Sequence, residues 1–433
     1  MRFNPLLVRQ KNFCCNDGYN ASASLYELVV FEQRTYWNHF EVTASAGALR
    51  TSVPVNASNQ FSVLLTTLGN THMKKSLLAL AVLGAFTGIA SAQTSVTIYG
   101  VVDAGITRED NGLTTVNRLD SGNQSGSRLG FKGNEDLGGG LSAQFLLEQG
   151  FNTDTGTLGQ GGQTFGRQAY VGLTGAFGQV RLGRQKTVMY DALTAIDPFG
   201  IANKGGIDRL FGTNTAENAF ANPALTGVNG RQYGAGRSNN TIAYFTPTIS
   251  GFTGEVTYTL GEAASNAGGN QAGRQYGLSG NYAAGPLFVT ADYLNVADNA
   301  GNKHAGFALL GATYDFAVVK AHAAYGQEKG TSGPFTGTTP SVLQSTNQRD
   351  YMIGTTIPFG ASAVQVDYVR KTDQNPGNRG AKQYAIGYTY ALSKRTNFYS
   401  SYTNTQFNNF SYVSTGAANQ TDRVLNAGVR HTF

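Results

Sequence analysis

The chain is poor in cysteine, tryptophan and charge. Its 433 residues include two cysteines, one tryptophan and 13% charged residues, and Cys14, Cys15 and Trp37 all precede residue 73. Beyond residue 73 there is therefore no thiol to form a disulfide or to act as a nucleophile. No apolar run there reaches the roughly 20 residues of a membrane-spanning helix. A membrane role for this part of the chain would require a closed barrel of strands.

Glycine and aromatic residues are abundant instead, with 56 glycines, 22 tyrosines and 25 phenylalanines. This composition favours a β-protein with many turns and argues against a helix-rich enzyme. The formal net charge is +6, but residues 1–92 hold seven basic and four acidic residues, which leaves 25 basic and 22 acidic residues in 93–433. That net charge of +3 lacks the clustered charge of a nucleic-acid-binding protein, so no nucleic-acid partner is expected.

Residues 73–92 carry the pattern of a cleaved secretory signal. Two lysines after Met73 precede an apolar run at 77–89, and Ala90-Ser91-Ala92 then forms a cleavage site before Gln93. The alternative is a membrane-spanning helix, but the run is about 13 residues against the roughly 20 required. Because such a signal acts at an N-terminus, we interpret residues 1–72 as a non-native upstream extension, the alternative being a genuine extension. The mature domain would be residues 93–433.

Apolar and polar residues alternate in segments of about ten residues along this domain, which is typical of strands in a transmembrane barrel. In "SGSRLGFKGNEDLGGGL", Arg128 and Lys132 lie on one side of the alternation and Leu129 and Phe131 on the other. The "GNEDLGGG" that follows predicts a turn. A charged side chain facing lipid at mid-depth costs about 2–4 kcal/mol, so in a barrel Arg128 and Lys132 should face water.

The connections between these segments alternate between short turns and long polar loops. Strand, short turn, strand and long loop repeat to give about 16 antiparallel strands, and an even number is usual for bacterial outer-membrane barrels. The alternative, a soluble β-sandwich, seldom alternates turn lengths so regularly. Tyrosines recur near the predicted strand ends, as in an aromatic girdle at a membrane interface. These are Tyr99, Tyr170, Tyr282, Tyr314, Tyr351, Tyr390 and Tyr402.

Several stretches resemble the general diffusion porins of Gram-negative outer membranes, in their neisserial and betaproteobacterial branch. They are "SVTIYGVVDAGI", "SGSRLGFKGNEDLGGGLSAQFLLEQGF", "FGRQAYVGLTGAFGQVRLGRQ" and the closing "GVRHTF". The resemblance implies an all-β, 16-stranded antiparallel transmembrane barrel with short periplasmic turns and long extracellular loops. It also implies a homotrimer in contact with outer-membrane lipid and lipopolysaccharide. The terminal Phe433 is similar to the assembly signal that the barrel-assembly machinery reads in bacterial outer-membrane proteins.

The resemblance further implies that the third extracellular loop folds into the lumen as a constriction. Residues 188–236 match it in position, and a loop of that length is usually functional or disordered. The alternative is a mobile surface loop with solvated charges. The acidic residues expected in the constriction loop are Asp191, Asp197, Asp208 and Glu217.

On the facing wall, the resemblance assigns basic pore-lining residues to Arg128, Arg167 and Arg237, and alternation adds Lys132. Arg167 has the same parity as the apolar Val171 and Leu173, which leaves its direction open. Position 243, basic in many members of the family, is Ala243 in this chain. Rings of basic side chains around a pore favour anions, so mild anion selectivity is expected.

The predicted function is passive diffusion of ions and small hydrophilic solutes through a water-filled channel. Two alternatives share the fold: a substrate-specific anion or sugar channel, and a structural or adhesive barrel. An enzyme is not expected, because His304, His322 and His431 are not at metal-ligand spacing and HExxH, GxSxG and GxGxxG motifs are absent. No catalytic residue, metal site or cofactor is predicted, and His322 is interpreted as a lumen or interface residue.

Overall fold

The computed structural model describes residues 39–42, 51–54, 95–201, 205–211, 236–261, 271, 273–297, 304–332, 344–376, 380–408 and 420–433. The chain divides into two compact units, Met1–Ala85 and Phe86–Phe433. In the first unit, β1 (His39–Val42) pairs antiparallel with β2 (Thr51–Pro54). All other described strands belong to the second unit.

The second unit is a closed antiparallel barrel. Its strands are β3 (Ser95–Asp110), β4 (Thr115–Ser121), β5 (Arg128–Gly138), β6 (Leu141–Gly150), β7 (Gln168–Gly175), β8 (Gly178–Lys186), β9 (Arg237–Phe245), β10 (Phe252–Thr259), β11 (Gln275–Ala284), β12 (Leu287–Ala297), β13 (His304–Asp315), β14 (Lys320–Ser332), β15 (Gln344–Phe359), β16 (Ser362–Asp373), β17 (Ala381–Ala391), β18 (Thr396–Phe407) and β19 (Thr421–Thr432). Both β4 and β5 pair with β3, one along each half, and so share one position in the wall. With β19 paired to β3, the barrel closes at 16 positions, which confirms the predicted fold.

The two rims of the barrel differ as the sequence pattern predicts. Short turns join alternate pairs of strands at one end, the short-turn rim, and longer connections lie at the other end, the loop rim. One turn is shorter than predicted. "GNEDLGGG" is mostly strand, because β5 continues through a register shift between Asp136 and Gly138 and leaves Gly139 and Gly140 as the turn. Both turn glycines have positive φ, a conformation that favours glycine.

The polarity of the barrel is that of a protein surrounded by lipid. Large apolar side chains point outward along the strands, as at Ile98 (61% exposed) and Ile353 (65% exposed). Polar residues on the opposite face, such as Asp103 and Thr290, are buried inside. Since a soluble sandwich buries its apolar face, this inverted alternation excludes that alternative.

The predicted aromatic girdle is correct for most of its members and wrong for two. Outward-facing are Tyr282, Tyr314, Tyr351, Tyr390 and Tyr402. Tyr99 shares the inward parity of Asp103 on β3, and Tyr170 lies opposite the inward Leu146. Those two side chains point into the lumen, because the register of β3 and β7 gives the outer face to their apolar neighbours.

The described parts of the connection between β8 and β9, residues 188–201 and 205–211, fold into the barrel, in agreement with the predicted inward-folded third loop. They contain helix α1 (Val188–Ile196), which sequence reading missed, and a short 3₁₀ turn at Ile207–Arg209. Thr187 caps α1 by accepting a hydrogen bond from the Tyr190 backbone N–H, and apolar residues recur along one face of the helix. That face packs against the inner wall, including Leu294, Leu309 and Met352. In the described part of the chain, no helix is long and apolar enough to cross a bilayer.

Candidate functional site

Glu148 is the centre of a polar cluster on the inner wall. It faces the lumen from β6, directly opposite Gly130 on β5. The Arg167 Nε donates to Glu148 Oε1 at 2.7 Å, and the Tyr99 hydroxyl donates to Oε2 at 2.9 Å. The Arg128 Nε lies 3.8 Å from the same Oε2. One carboxylate is therefore shared between two guanidinium groups.

Arg128 and Lys132 both face the lumen from β5, since Leu129 and Phe131 share the outer face with Ile98 of β3. Besides approaching Glu148, Arg128 donates to Ser125 Oγ at 3.1 Å. The Lys132 ammonium is exposed and lies 5.6 Å from the centroid of the Tyr99 ring.

Arg167 precedes the first residue of β7, so the alternation of that strand does not determine its direction. Its side chain turns inward to Glu148 and is almost fully buried (7% exposed). The apolar parity of Val171 and Leu173 applies only from Gln168 onward, and both of those side chains are exposed on the outer face.

Tyr190 of α1 brings the constriction loop to the same cluster. The Arg237 guanidinium and the Lys186 ammonium each lie 4.8 Å from the centroid of its ring. An Arg237 amino group also donates to the Tyr190 hydroxyl at 3.4 Å. Burial alone would raise the pKa of Tyr190, but the positive charges of Arg237, Arg167, Lys186 and Arg128 outweigh burial and lower the pKa. The phenol thus lies in a strongly positive potential.

The three acidic residues of the constriction loop that the structure describes do not form a common face. Asp191 pairs with Lys186, Nζ to Oδ1 at 2.9 Å, at the start of α1. Asp197 is buried, and its carboxylate accepts backbone N–H groups of Phe199, Ile201 and Ile207. Asp208 is half-buried in the 3₁₀ turn. Glu217 lies outside the described residues.

Besides Tyr190, other described residues of the loop make polar contacts with the wall. The His322 Nδ1 donates to the carbonyl of Ile196 at 2.8 Å, at the end of α1. The Gln383 side chain donates to the Gly205 carbonyl at 2.8 Å. Arg209 and Asp422 form an ion pair at 2.7 Å. His322 is thus a lumen residue that holds the loop, which agrees with its interpretation from sequence.

Close approach of the loop also depends on glycines in the wall. A Cβ on Gly311 of β13 would lie 2.6 Å from Ile196 Cδ1, and one on Gly387 of β17 would lie 2.5 Å from Phe199 Cε1. Contacts that short are excluded by sterics, so any larger residue would displace the loop side chain.

The barrel closes at the last residue of the chain. The backbone N–H and carbonyl of Phe433 exchange hydrogen bonds with Gly100, both at 3.1 Å. The Phe433 side chain is exposed (47%) on the outer surface, in the row of Leu425 and Val429. The aromatic terminus therefore completes the seam between β19 and β3.

Three members of the cluster were not singled out from the sequence: Glu148, Lys186 and Tyr190. The fourth, Tyr99, was expected on the outer face and lies in the lumen. Alternation along β6 puts Glu148 on the polar side of the strand, but it does not give the partners of the carboxylate. Tyr190 and Lys186 depend on the fold of the constriction loop, whose short helix was not predicted. Ala243 faces the lumen opposite Arg181 and is fully buried.

Comparisons with known proteins agree with this architecture. Residues 79–409 match a family model described as Gram-negative porin. An outer membrane porin protein of Bordetella pertussis is 32% identical over 411 residues, covering 83% of this chain and 100% of that protein. Outer membrane porin protein 32 of Delftia acidovorans is 34% identical over 336 residues, covering 76% of this chain and 88% of that protein. The solved structure of an anion-selective porin from Comamonas acidovorans matches with a TM-score of 0.66 and 28% identity, over 79% of this chain and 100% of that one.

Proposed function

We propose, from the premise that this chain belongs to the Gram-negative porin family, that its channel prefers anions mildly among the small polar solutes it passes. As an outer-membrane porin, the barrel spans the outer membrane with its short turns on the periplasmic side and its long loops outside. A barrel of about 16 strands is wide enough to leave an aqueous channel.

The observation that carries the anion preference is the charge balance around Tyr190. Arg128, Arg167, Arg237 and Lys186 converge there against the carboxylates of Glu148 and Asp191. Basic groups around a narrow water-filled section lower the energy of an anion and raise that of a cation. The anion-selective character of the related Comamonas acidovorans porin supports the same sign.

We infer that the acidic residues of the constriction loop contribute less negative charge to the pore than the sequence suggests. Asp191 is paired with Lys186, and the Asp197 carboxylate is turned into the backbone of its own loop. The polar cluster around Glu148 on the inner wall therefore contributes more to selectivity than the acidic residues of the constriction loop do. Because the preference arises from a field and from no covalent step, a catalytic role is not part of the proposal.

The processing of the chain, its oligomeric state and its partners are proposed as well. We infer a cleaved signal at 73–92 with a mature start at Gln93, which mass spectrometry of the purified protein would show. We infer a homotrimer, contact with outer-membrane lipopolysaccharide, and recognition of Phe433 by the barrel-assembly machinery. The exposed terminal ring at the seam supports the last of these.

Planar-bilayer recording in a salt gradient tests the function directly. A general anion-preferring porin should conduct in groups of three steps, with a reversal potential of the anion-selective sign. A cation-selective sign would overturn the preference. Saturable block by one solute would instead favour a substrate-specific channel, a candidate to which the tightly held arginines around Glu148 also lend support. Absence of conductance would favour a structural barrel.

A further inference from the structure

A second group of cations lies on the outer surface of the barrel near the loop rim. Arg349 of β15, Arg370 of β16 and Lys382 of β17 are exposed. In the register, Arg370 lies directly opposite Lys382, and Arg349 is one diagonal step away, opposite Thr372. Lys329 of β14, also exposed, is on the same side. We call Arg349, Arg370 and Lys382 the outer basic patch.

The strand alternation shows that the patch faces outward. The exposed Tyr351 and Tyr384 occupy the same parity as Arg349 and Lys382 on their strands. The intervening residues Asp350, Lys371 and Gln383 are fully buried on the lumen side. The patch is therefore separated from the channel by the wall itself.

The charge distribution across this wall is unusual. The carboxylates of Glu328 and Asp350 face inward and bind the buried Lys371, at 2.6 Å and 3.0 Å from its Nζ. On the outer side, the neighbouring positions are amides and hydroxyls, as at Gln327, Thr372 and Gln406. Within the described ranges, none of the three patch cations forms an ion pair.

Like charges placed directly across two strands destabilise a sheet unless something neutralises them. The Arg370–Lys382 pair has this arrangement, and in the described part of the wall no outward carboxylate lies beside it. An anion bound from outside would remove the repulsion. The patch thus has the electrostatics of a binding site for a multiply charged anion.

An apolar hollow lies directly below the patch on the same outer face. It has a volume of about 550 Å³. Tyr368 and Tyr384 form its upper edge, two residues along their strands from Arg370 and Lys382, with ring centroids 4.9 Å apart. Its other lining residues include Ile353, Val366, Ile386 and Tyr402. Cations above an aromatic edge and an apolar hollow below match an amphiphile with an anionic head and acyl chains.

We propose that the outer basic patch binds the phosphorylated headgroup of an outer-leaflet glycolipid, with an acyl chain lying in the hollow. The site is on the surface that faces lipid in an outer-membrane barrel, at the extracellular end where such headgroups lie. A second copy docked on this face by two-fold symmetry would place cations against cations, so a two-fold dimer is the poorer occupant. The proposal rests on the lipopolysaccharide contact proposed above, for which it names the site, and it does not depend on the anion preference of the channel.

Binding of bisphosphorylated lipid A to the refolded full chain in detergent micelles tests the proposal. A basic side chain near an anionic lipid surface contributes about a fivefold factor, so Arg370→Gln with Lys382→Gln should weaken binding about 30-fold. Arg370→Lys should keep near-native affinity, and Lys394→Gln, on the exposed short-turn rim, should change nothing. Unchanged single-channel conductance would show that each variant is folded.

Three further measurements separate the possible occupants. Lipid A without phosphates should bind about as weakly to the native chain as the phosphorylated lipid binds to the double variant. Inorganic phosphate alone should compete only weakly, because it cannot use the hollow; strong competition would assign the patch to free anions and overturn the lipid proposal. Equal binding of phosphorylated lipid to the native and double-variant chains would overturn it as well, and so would cross-linking of this face to a second copy.

Discussion

The guanidinium of Arg167 and the carboxylate of Glu148 are joined through Nε and Oε1 at 2.7 Å, and each side chain is only 7% exposed. A buried pair of this kind is costly to break on one side, because the remaining charge is left without a partner. Here Arg128 approaches the same carboxylate, so two positive charges depend on one negative charge. Glu148 thus limits how positive the constriction becomes.

Glu148→Gln is expected to make the channel more anion-selective. Removing a negative charge close to the permeation path changes an ion's energy by about 1 kcal/mol in a well-hydrated setting, or roughly fivefold in the permeability of that ion. The reversal potential in a potassium chloride gradient measures this shift. Glu135→Gln is the matched control, since Glu135 is exposed near the short-turn rim and the variant loses the same charge. An equal shift in both variants would mean that total charge, and not the Glu148 cluster, sets selectivity.

Arg128→Glu should move the reversal potential in the opposite direction, towards cations. The change replaces a lumen-facing positive charge with a negative one beside Glu148, so the effect should exceed that of Glu148→Gln in size. The same bilayer recording applies, with Lys394→Glu on the exposed short-turn rim as the control. An unchanged reversal potential would show that Arg128 does not line the constriction.

Gly311→Val should loosen the constriction loop without opening the barrel. The new Cβ would overlap Ile196 Cδ1, which is itself buried, so α1 has to move away from the wall. We expect greater open-channel current noise, while the backbone hydrogen bonds of β12–β14 keep the barrel intact. Gly280→Val is the control, because a Cβ there meets only the Ala291 carbonyl oxygen at 3.9 Å on the outer face. Equal noise in the two variants would contradict the proposed seating of the loop.

The sequence predicts those parts of the molecule that depend on period two. Alternation alone places Arg128 and Lys132 inside and Leu129 and Phe131 outside, since one residue along a strand is one change of face. It is insufficient for Arg167, because alternation applies only once a strand has begun, and β7 begins at Gln168. The direction of Arg167 follows from its bond to Glu148, a contact between positions 19 residues apart.

The constriction loop shows the other limit of prediction. Its inward fold was expected, but α1 was missed, because nine helical residues are diluted in a polar stretch of 49. Without α1, nothing in the sequence brings Tyr190 to Arg237 or turns Asp197 into the backbone of its own loop. The sequence gives the positions of the acidic residues in such a loop. Whether their carboxylates face the pore depends on the hydrogen bonds that they form in the folded loop.

Docking of the constriction loop should depend on pH through Asp197. Burial raises the pKa of Asp197 to about 7, although the three backbone N–H groups that donate to its carboxylate lower the pKa. Asp367 of β16 provides a second carboxylate nearby. Because this pKa lies above its ordinary value of 3.8, the stabilisation is complete below about pH 4 and is lost as the pH rises through 7. Open-channel noise of the native protein should therefore increase between pH 6 and pH 8.

Asp197→Asn separates this titration from the hydrogen bonds. An amide cannot accept on both sides as the carboxyl group does, so the variant should be noisier than the native protein at pH 5. It carries no titrating group at this position, so its own noise should change little from pH 5 to pH 8. Native noise that falls as the pH rises would contradict the assignment, since the protonated carboxyl group would then be the weaker anchor of the loop.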